Sequence, residues 1–361
     1  MTSAVVESKK RRAILLLNLG TPDSLKIRDI RKYLKEFLMD PYVIDIPFFA
    51  RWFLVHGLIL PTRPKKAAQA YHKIWTSQGS PLLVHLNDLT EKLQDRLAGE
   101  GWFVRGVMRY GHPSIQAAFQ EFQNMKIQEL IVLPLYPQYS LAATESSIQA
   151  CHRLAQAYLP QAHLRFIQPF YEHPAFIRSF LKIAQESLKS FSFDHLLLSY
   201  HGLPERQIRK TDETGKYCFS SLGCCERETE ENRNCYRAHC FATSRRLIEG
   251  LGLVNHQYTV TFQSRLGRTP WIQPFTDEVI RRLPSQGVRR LAVLCPAFVA
   301  DCLETLEEIE IRGKTDFINA GGEDLKLVPS LNSSDIWVEG VQELILGTST
   351  QSSGSASGSI C

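Results

Sequence analysis

The sequence has no apolar run long enough to cross a bilayer. Its longest, Ile46–Pro61 (IPFFARWFLVHGLILP), is interrupted by Arg51, His56 and Gly57, whereas a spanning helix needs roughly 20 apolar residues. A strong excess of either charge is also missing. Lys plus Arg total 42 and Asp plus Glu 37, a net +5 over 361 residues. That is too mild to argue for nucleic acid, and it suits an acidic small molecule or an anionic membrane surface equally. No strand runs into G-x-G-x-x-G, and no complete phosphate loop ending in G-K-S/T occurs. NAD and ATP are therefore poor candidates, and no nucleotide is expected. No secretory signal is visible either, because the polar start ends in Lys9-Lys10-Arg11-Arg12 with no small-residue cleavage site behind it. The expected location is the cytoplasm, where cysteines stay reduced. What remains is ordinary globular composition, 44% hydrophobic and 22% charged, with length for about two domains. One count stands out. Of nine cysteines, five (Cys218, Cys224, Cys225, Cys235, Cys240) fall within 23 residues.

The ends, residues 1–11 and the Ser/Gly-rich 348–361, read as disordered. Between them short apolar runs alternate with helical patterns. The strands expected are Ala13–Leu19, Phe103–Met108, Leu130–Leu135, Leu164–Gln168, His195–Tyr200, Tyr258–Gln263, Leu291–Cys295 and Leu325–Val328. Ile115, Ala118, Phe119 and Phe122 recur at helical spacing behind Ser114, a suitable N-cap. The two sets of four strands resemble each other: LLLNLGTP from Leu15 matches LLLSYHGLP from Leu196, and VLPLYP from Val132 matches VLCPAF from Val293. The expectation is an α/β chain of two similar Rossmann-like lobes, each a four-stranded parallel sheet flanked by helices, with a cleft between them. The lobes would span 12–172 and 173–347, and the second would carry a Cys-rich insertion at 212–240. Two unrelated α/β halves are the alternative.

Ligands of such sheets sit outside the carboxyl ends of the strands. Asn18, Arg109, Tyr110, Tyr136, Gln138, Tyr139, His201, Gln263, Ser264 and Arg265 occupy those ends. His201 precedes a Gly turn, where an imidazole binds a divalent metal or takes up a proton near neutral pH. The segment Asp301–Ile311 reads as a helix with Asp301, Glu304 and Glu308 on one face. Those carboxylates either gather a cation and relay protons or form a solvated acidic face. Arg63, Arg109 and Arg265 suit carboxylates, and Tyr71, Tyr110, Trp271 and Phe298 suit a planar ring or plain core packing.

Seven stretches, in order, carry a resemblance: LLLNLGTPDS, RKYLKEFLMDPYVID, MRYGHPSI, LPLYPQYS, LSYHGLPERQIRKTD, TFQSRLGRTPWIQPFTDE and LCPAFVADCLETLEEI. The chain resembles the ferrochelatases, lyases that insert Fe2+ into a porphyrin to make haem, from about Ile14 to Val341. The resemblance implies the chelatase fold with the active-site cleft between the lobes, protoporphyrin IX and Fe2+ as substrates, and release of two protons. It implies His201 and Glu304 as the metal-site pair, with Glu308 and Asp301 extending an acidic path. Whether His201 is ligand or base stays open. It also implies Asn18, Arg109 and Tyr110 on the opposite wall, Arg63, Tyr71 and Ser80 holding the porphyrin, and Trp271 and Phe298 lining the macrocycle. Coproporphyrin, another metal or tetrapyrrole, and a non-catalytic bilobal haem or metal carrier are the competing readings.

Two segments gain meaning from the resemblance. Ile46–Pro61, followed by Arg63, Lys65 and Lys66, is either a hydrophobic lip resting on the inner face of the membrane or a buried helix closing the lobe. The cysteine spacing, C-x5-C-C-x9-C-x4-C from Cys218 to Cys240, lies in a polar loop without core to pack into, so it suits a 2Fe–2S cluster or zinc. Some ferrochelatases carry such a cluster, which favours iron–sulfur with Cys218, Cys224, Cys235 and Cys240 as ligands and Cys225 as the alternative. The animal-type enzymes place most of those ligands at the C-terminus, where this chain has Cys361 alone. Oligomeric state is not legible.

Overall fold

A computed structural model describes residues 11–221, 223–265, 267 and 269–347. The ends expected to be disordered, 1–11 and 348–361, lie outside the described residues apart from Arg11, and Cys361 lies outside them too. Eight strands form: β1 (Arg12–Gly20), β2 (Trp102–Tyr110), β3 (Glu129–Pro134), β4 (His163–Phe166), β5 (His195–His201), β6 (Tyr258–Gln263), β7 (Arg290–Leu294) and β8 (Asp324–Leu327). They pair into two four-stranded sheets, ordered β2-β1-β3-β4 and β6-β5-β7-β8. Every pairing is parallel, with Leu15 opposite Arg105 and Val132, and Leu198 opposite Val260 and Leu294. The two sheets have the same order, so the expected pair of similar lobes is the architecture observed.

The strand sequences explain their place. The run Ala13 to Asn18 in β1 is almost wholly buried, as a central parallel strand covered on both faces must be. Alternate side chains serve different cores. Ala13, Leu15 and Leu17 meet Phe119 and Phe122 of the helix Ile115–Asn124, whose N-terminus is capped by Ser114 as its spacing predicts. Ile14 and Leu16 turn the other way, into one continuous core that also contains Leu196, Leu198, Phe176, Phe180 and Trp337. Leu197, between them in β5, packs instead with Val279, Ile309 and Phe317. One face of each sheet thus shares a core with the other lobe, and each fully buried side chain there stabilises the pair by roughly 1.5–3 kcal/mol. The helix Asp335–Leu346 packs on both Pro81–Leu97 and Pro174–Leu188. Ion pairs Lys92–Asp335, Arg96–Glu339 and Arg178–Glu343 run along that seam. The end of the second lobe therefore leans on the first.

Two segments depart from the sequence reading. The helix expected over Asp301–Ile311 starts at Leu303 and runs to Gly313 as a π-helix. Its hydrogen bonds close over five residues rather than four, and Asp301 lies outside it, so position 301 does not share a helix face with 304 and 308. Asp301 stays outside it because its carboxylate accepts from Asn332 Nδ2 (2.7 Å), Thr305 Oγ1 (3.0 Å) and Ser330 N (3.3 Å). The segment Ile46–Pro61 is no buried helix closing the lobe. It forms a short helix (Phe48–Phe53) and a π-helical turn (Leu54–Ile59) that expose Phe48, Phe49, Trp52, Phe53 and Leu58, with Phe49 83% exposed. Val55 and Leu60 are buried beneath it, and Arg51, also buried, donates to Ile44 O (3.1 Å) and Ile46 O (2.9 Å).

Candidate active site

In a doubly wound sheet the crevice opens where the chain reverses its direction of strand addition. The order β2-β1-β3-β4 puts that point between β1 and β3, and β6-β5-β7-β8 puts it between β5 and β7. One cavity of about 210 Å³ joins both points. Asn18 to Thr21 at the end of β1, Leu135, Tyr136 and Gln138 after β3, His201 and Leu203 at the end of β5, and Ala297 to Ala300 after β7 all line it. Gly20 makes the first turn possible. Its φ is +134°, and a Cβ there would lie 2.2 Å from Tyr110 O, so the tight approach of β1 to β2 admits no side chain.

His201 reaches the cavity from the last position of β5. Its Nδ1 lies 2.6 Å from Gly202 O. A carbonyl oxygen only accepts, so Nδ1 carries the hydrogen and the neutral ring keeps its lone pair on Nε2. Phe298 stands edge-on to the imidazole, with ring centroids 6.3 Å apart. Glu304 enters from the first turn of the π-helix, and its main chain is fixed by Gln263 Nε2, which donates to Glu304 O at 2.8 Å. Gln263 is itself held by Ser199 Oγ, 2.6 Å from its Oε1. The Glu304 charge is felt around the cavity. Burial first, and that charge after it, hold the Cys302 thiol and the Tyr33 and Tyr71 phenols well above their ordinary pKa values. Hydroxyls follow one another away from the carboxylate: Tyr33 interacts with Tyr71 and Tyr71 with Thr21, and Thr21 Oγ1 donates to Ser80 Oγ at 2.8 Å.

Of the residues picked from sequence, Asn18, Tyr71, Ser80, His201, Phe298 and Glu304 line the cavity. Six are placed elsewhere. Arg109 and Tyr110 turn from it to a buried carboxylate: Asp40 Oδ2 accepts from Arg109 (2.5 Å), Ser146 (2.7 Å) and Tyr110 (2.9 Å). Arg63 is exposed on the helix Leu60–Ile74. Trp271 pairs through its backbone with Pro204 and packs behind Gly202. Glu308 accepts from Ser264 N (3.0 Å) and Oγ (2.5 Å), and Asp301 is held at the 330–332 loop. Residues the sequence reading passed over include Tyr33, Phe37, Leu82 and Tyr236, all on the cavity wall. Tyr33 and Phe37 are one turn apart on Ile27–Leu38 and stack at 6.2 Å, a pairing whose i, i+4 spacing was the available signal.

The cysteine segment folds against the second lobe beside this cavity. Cys224 and Cys225 Sγ atoms lie 3.6 Å apart. Cys235 interacts electrostatically with both Cys218 and Cys225. Cys218, Cys224, Cys225 and Cys235 line one small void, and Cys240, in the helix Tyr236–Leu251, does not. Burial holds the Cys240 thiol well above its ordinary pKa, while its interaction with Cys235 lowers that of Cys218. Among the described residues no group of three or more His, Cys, Asp or Glu surrounds a single metal position.

The two-lobed arrangement is that of a chelatase. The solved structure of SirB from Bacillus subtilis with Fe3+ superposes with a TM-score of 0.52, covering 94% of this chain and 98% of its own at 11% identity. That likeness is one of fold. Sequence carries the rest: the ferrochelatase family model matches residues 11–348. The ferrochelatase of Legionella pneumophila (strain Philadelphia 1) is 47% identical over 337 residues, 93% of this chain and 98% of the relative. That of Coxiella burnetii (strain CbuG_Q212) is 44% identical over 339 residues, 94% of each, and that of Stutzerimonas stutzeri (strain A1501) is 44% identical over 337. The chain belongs to the ferrochelatase family, and is an enzyme, a lyase.

Proposed function

We propose that the cavity between the lobes binds protoporphyrin IX and inserts Fe2+, giving protohaem and two protons. The observation that carries this reading is the placement of a base and a carboxylate on either side of the second lobe's switch point, His201 with a free Nε2 at the end of β5 and Glu304 after β7, both opening into the cavity that the first lobe's switch point also lines. Tyr33, Phe37, Tyr71 and Phe298 give the cavity flat apolar surfaces for a macrocycle. The enclosed volume, about 210 Å³, is small against typical ligand sites of roughly 300–1,000 Å³. The ring therefore extends to the mouth, where its propionates meet water. Two lobes sharing a core are stiff enough to hold the ring bent, which exposes nitrogen lone pairs and lets its N–H protons leave. His201 Nε2 takes those protons one at a time, passing the first to water before accepting the second. Glu304 meets the incoming Fe2+, its carboxylate being a hard anionic donor suited to a cation in transit. Asp301 and Glu308, whose oxygens are already engaged, brace the π-helix that presents Glu304. Anaerobic incubation with Fe2+ and either protoporphyrin or coproporphyrin, followed by absorbance, tests this. Metalloporphyrin from protoporphyrin at the higher kcat/KM supports it. A preference for coproporphyrin moves the substrate assignment, and haem binding without turnover contradicts the activity.

We infer further that the cysteine segment holds a 2Fe–2S cluster on Cys218, Cys224, Cys225 and Cys235. At a metal–sulfur distance of roughly 2.3 Å, tetrahedral ligands stand roughly 3.8 Å apart, close to the 3.6 Å of Cys224–Cys225. Cys218 and Cys235 make the second pair. A cluster asks for two thiolates on each iron, whereas zinc asks for three or four donors around one point. This set takes Cys225 in place of Cys240. Insertion moves no electrons, so the cluster supplies structure rather than a redox step. The exposed aromatic lip around Phe49 and Trp52, with Arg63, Lys65 and Lys66 beyond it, supports peripheral contact with an anionic membrane. No helix among the described residues is long and apolar enough to cross one.

A further inference from the structure

The helix Tyr236–Leu251 begins directly after Cys235 and lies against the end of β5. It grips the last two residues of that strand. Tyr200 Oη and Ser244 Oγ are 2.8 Å apart, and Tyr236 Oη donates to His201 O at 2.9 Å. Tyr236 has two further attachments. Its ring forms part of the cavity wall, and its phenol interacts electrostatically with the thiol of Cys240, one turn along the same helix. The His201 imidazole is anchored to the neighbouring carbonyl, Gly202 O, and Gly202 N donates to Gln263 O at 2.7 Å. Where the His201–Gly202 peptide points therefore decides where Nε2 points. Gln263 steadies that peptide from β6, and Tyr236 is the side chain that steadies it from the cysteine segment.

We propose that Tyr236 is a positioning residue for metal insertion. It fixes the His201 main chain and makes the geometry of His201 depend on the folding of the cysteine segment. The inference rests on the reading of His201 as the proton acceptor. The physical case is that the phenol oxygen is buried, where a hydrogen bond to a peptide carbonyl is hard to replace with water. Tyr236 touches no reacting atom by this account. It acts through the orientation of the imidazole, and misplacement by about 1 Å is enough to cost roughly 100-fold in rate.

The test is Tyr236→Phe, which removes one oxygen and keeps the ring in the wall. The expected result is a kcat lowered about tenfold or more, with the porphyrin KM, the fluorescence-measured porphyrin Kd and the melting temperature all close to wild type. Hydrogen exchange of the Gly202 amide should quicken about tenfold, since it reads the mobility of that peptide. Wild-type kcat, or a loss of kcat that tracks equal losses in porphyrin binding and melting temperature, overturns the proposal. A second comparison uses Cys225→Ser in both backgrounds. It should lower kcat and quicken Gly202 exchange in wild type and add little to either in Tyr236→Phe; additive effects overturn the coupling. Should Tyr236→Phe not fold, Gly202 exchange in Cys225→Ser alone decides, and an unchanged rate overturns the proposal. Failure of the underlying reading looks different, because wild type itself would then make no metalloporphyrin.

Discussion

His201 and Glu304 reach the cavity by different routes, and the difference predicts how each fails. His201 is fixed by its own strand end, its Nδ1 bonded to Gly202 O. On the proposed mechanism, replacing it by Ala removes the proton acceptor and leaves β5 intact. Glu304 is placed through its backbone by Gln263. Gln263→Ala should therefore lower kcat by about tenfold through loss of one backbone-directed hydrogen bond, roughly 0.5–1.5 kcal/mol of positioning. The porphyrin KM should be nearly unchanged, and steady-state kinetics checks both. Gly20 is a different case. With φ at +134° and Tyr110 O against its Cα, Gly20→Ala should destabilise the fold by about 2 kcal/mol or more, read as a lowered denaturant midpoint. At this scale the sequence was informative where chemistry and position coincided. A His before a Gly turn and a Glu at the start of a helix are visible as letters. The engagement of Arg109 and Tyr110 with Asp40 was not, because the partner lies 69 and 70 positions away.

The elements show why the rest was hidden. All eight strands were legible as short apolar runs, and their ends were legible as a set. The topology then selects among them. Only the ends flanking each switch point line the cavity, so the ends of β2 and β6 fall outside, taking Arg109, Tyr110 and Arg265 with them. Strand order is a property of the fold that a local run of residues does not carry. The π-helix Leu303–Gly313 escaped for a related reason, since its letters fit an α-helical period equally well. The cysteine segment makes its own prediction. Purified protein should absorb in the visible, Cys225→Ser should lose that absorbance, and Cys240→Ser should keep it. The reverse pattern would return Cys240 to the ligand set. For the lip, Phe49→Ser with Trp52→Ser should abolish flotation with anionic vesicles and leave turnover of detergent-solubilised porphyrin close to wild type. Val55 and Leu60, not these two, hold the segment to the lobe.

For the molecule as a whole, the shared core and the returning helix Asp335–Leu346 make the lobes one mechanical body, with the cysteine segment clamped between them. His239 is part of that clamp. Its Nδ1 accepts from Tyr139 N at 3.1 Å and its Nε2 donates to Arg233 O at 2.7 Å, while its ring stacks on Tyr171 at 3.7 Å. These bonds fit only the neutral ring, and burial lowers its pKa to about 4. The unfolded chain, with an ordinary value near 6.5, takes up a proton that the native state refuses. The His239 contribution is therefore fully present above about pH 6.5 and is lost as pH falls through about 4, a loss of up to roughly 3 kcal/mol. Denaturation curves between pH 7 and 4 should show it, and His239→Gln should flatten that slope.

On the proposed mechanism His201 and Glu304, which flank the switch point of the second lobe, carry metal insertion rather than porphyrin binding. The direct measurement is anaerobic Fe2+ insertion into protoporphyrin by wild type, His201→Ala and Glu304→Gln, with porphyrin affinity measured by fluorescence on the same samples. The account predicts that both variants bind porphyrin within a few-fold of wild type and lose at least about 100-fold in kcat, the scale of a missing acid–base group. Near-normal turnover in either variant, or a loss explained wholly by porphyrin no longer binding, would contradict it.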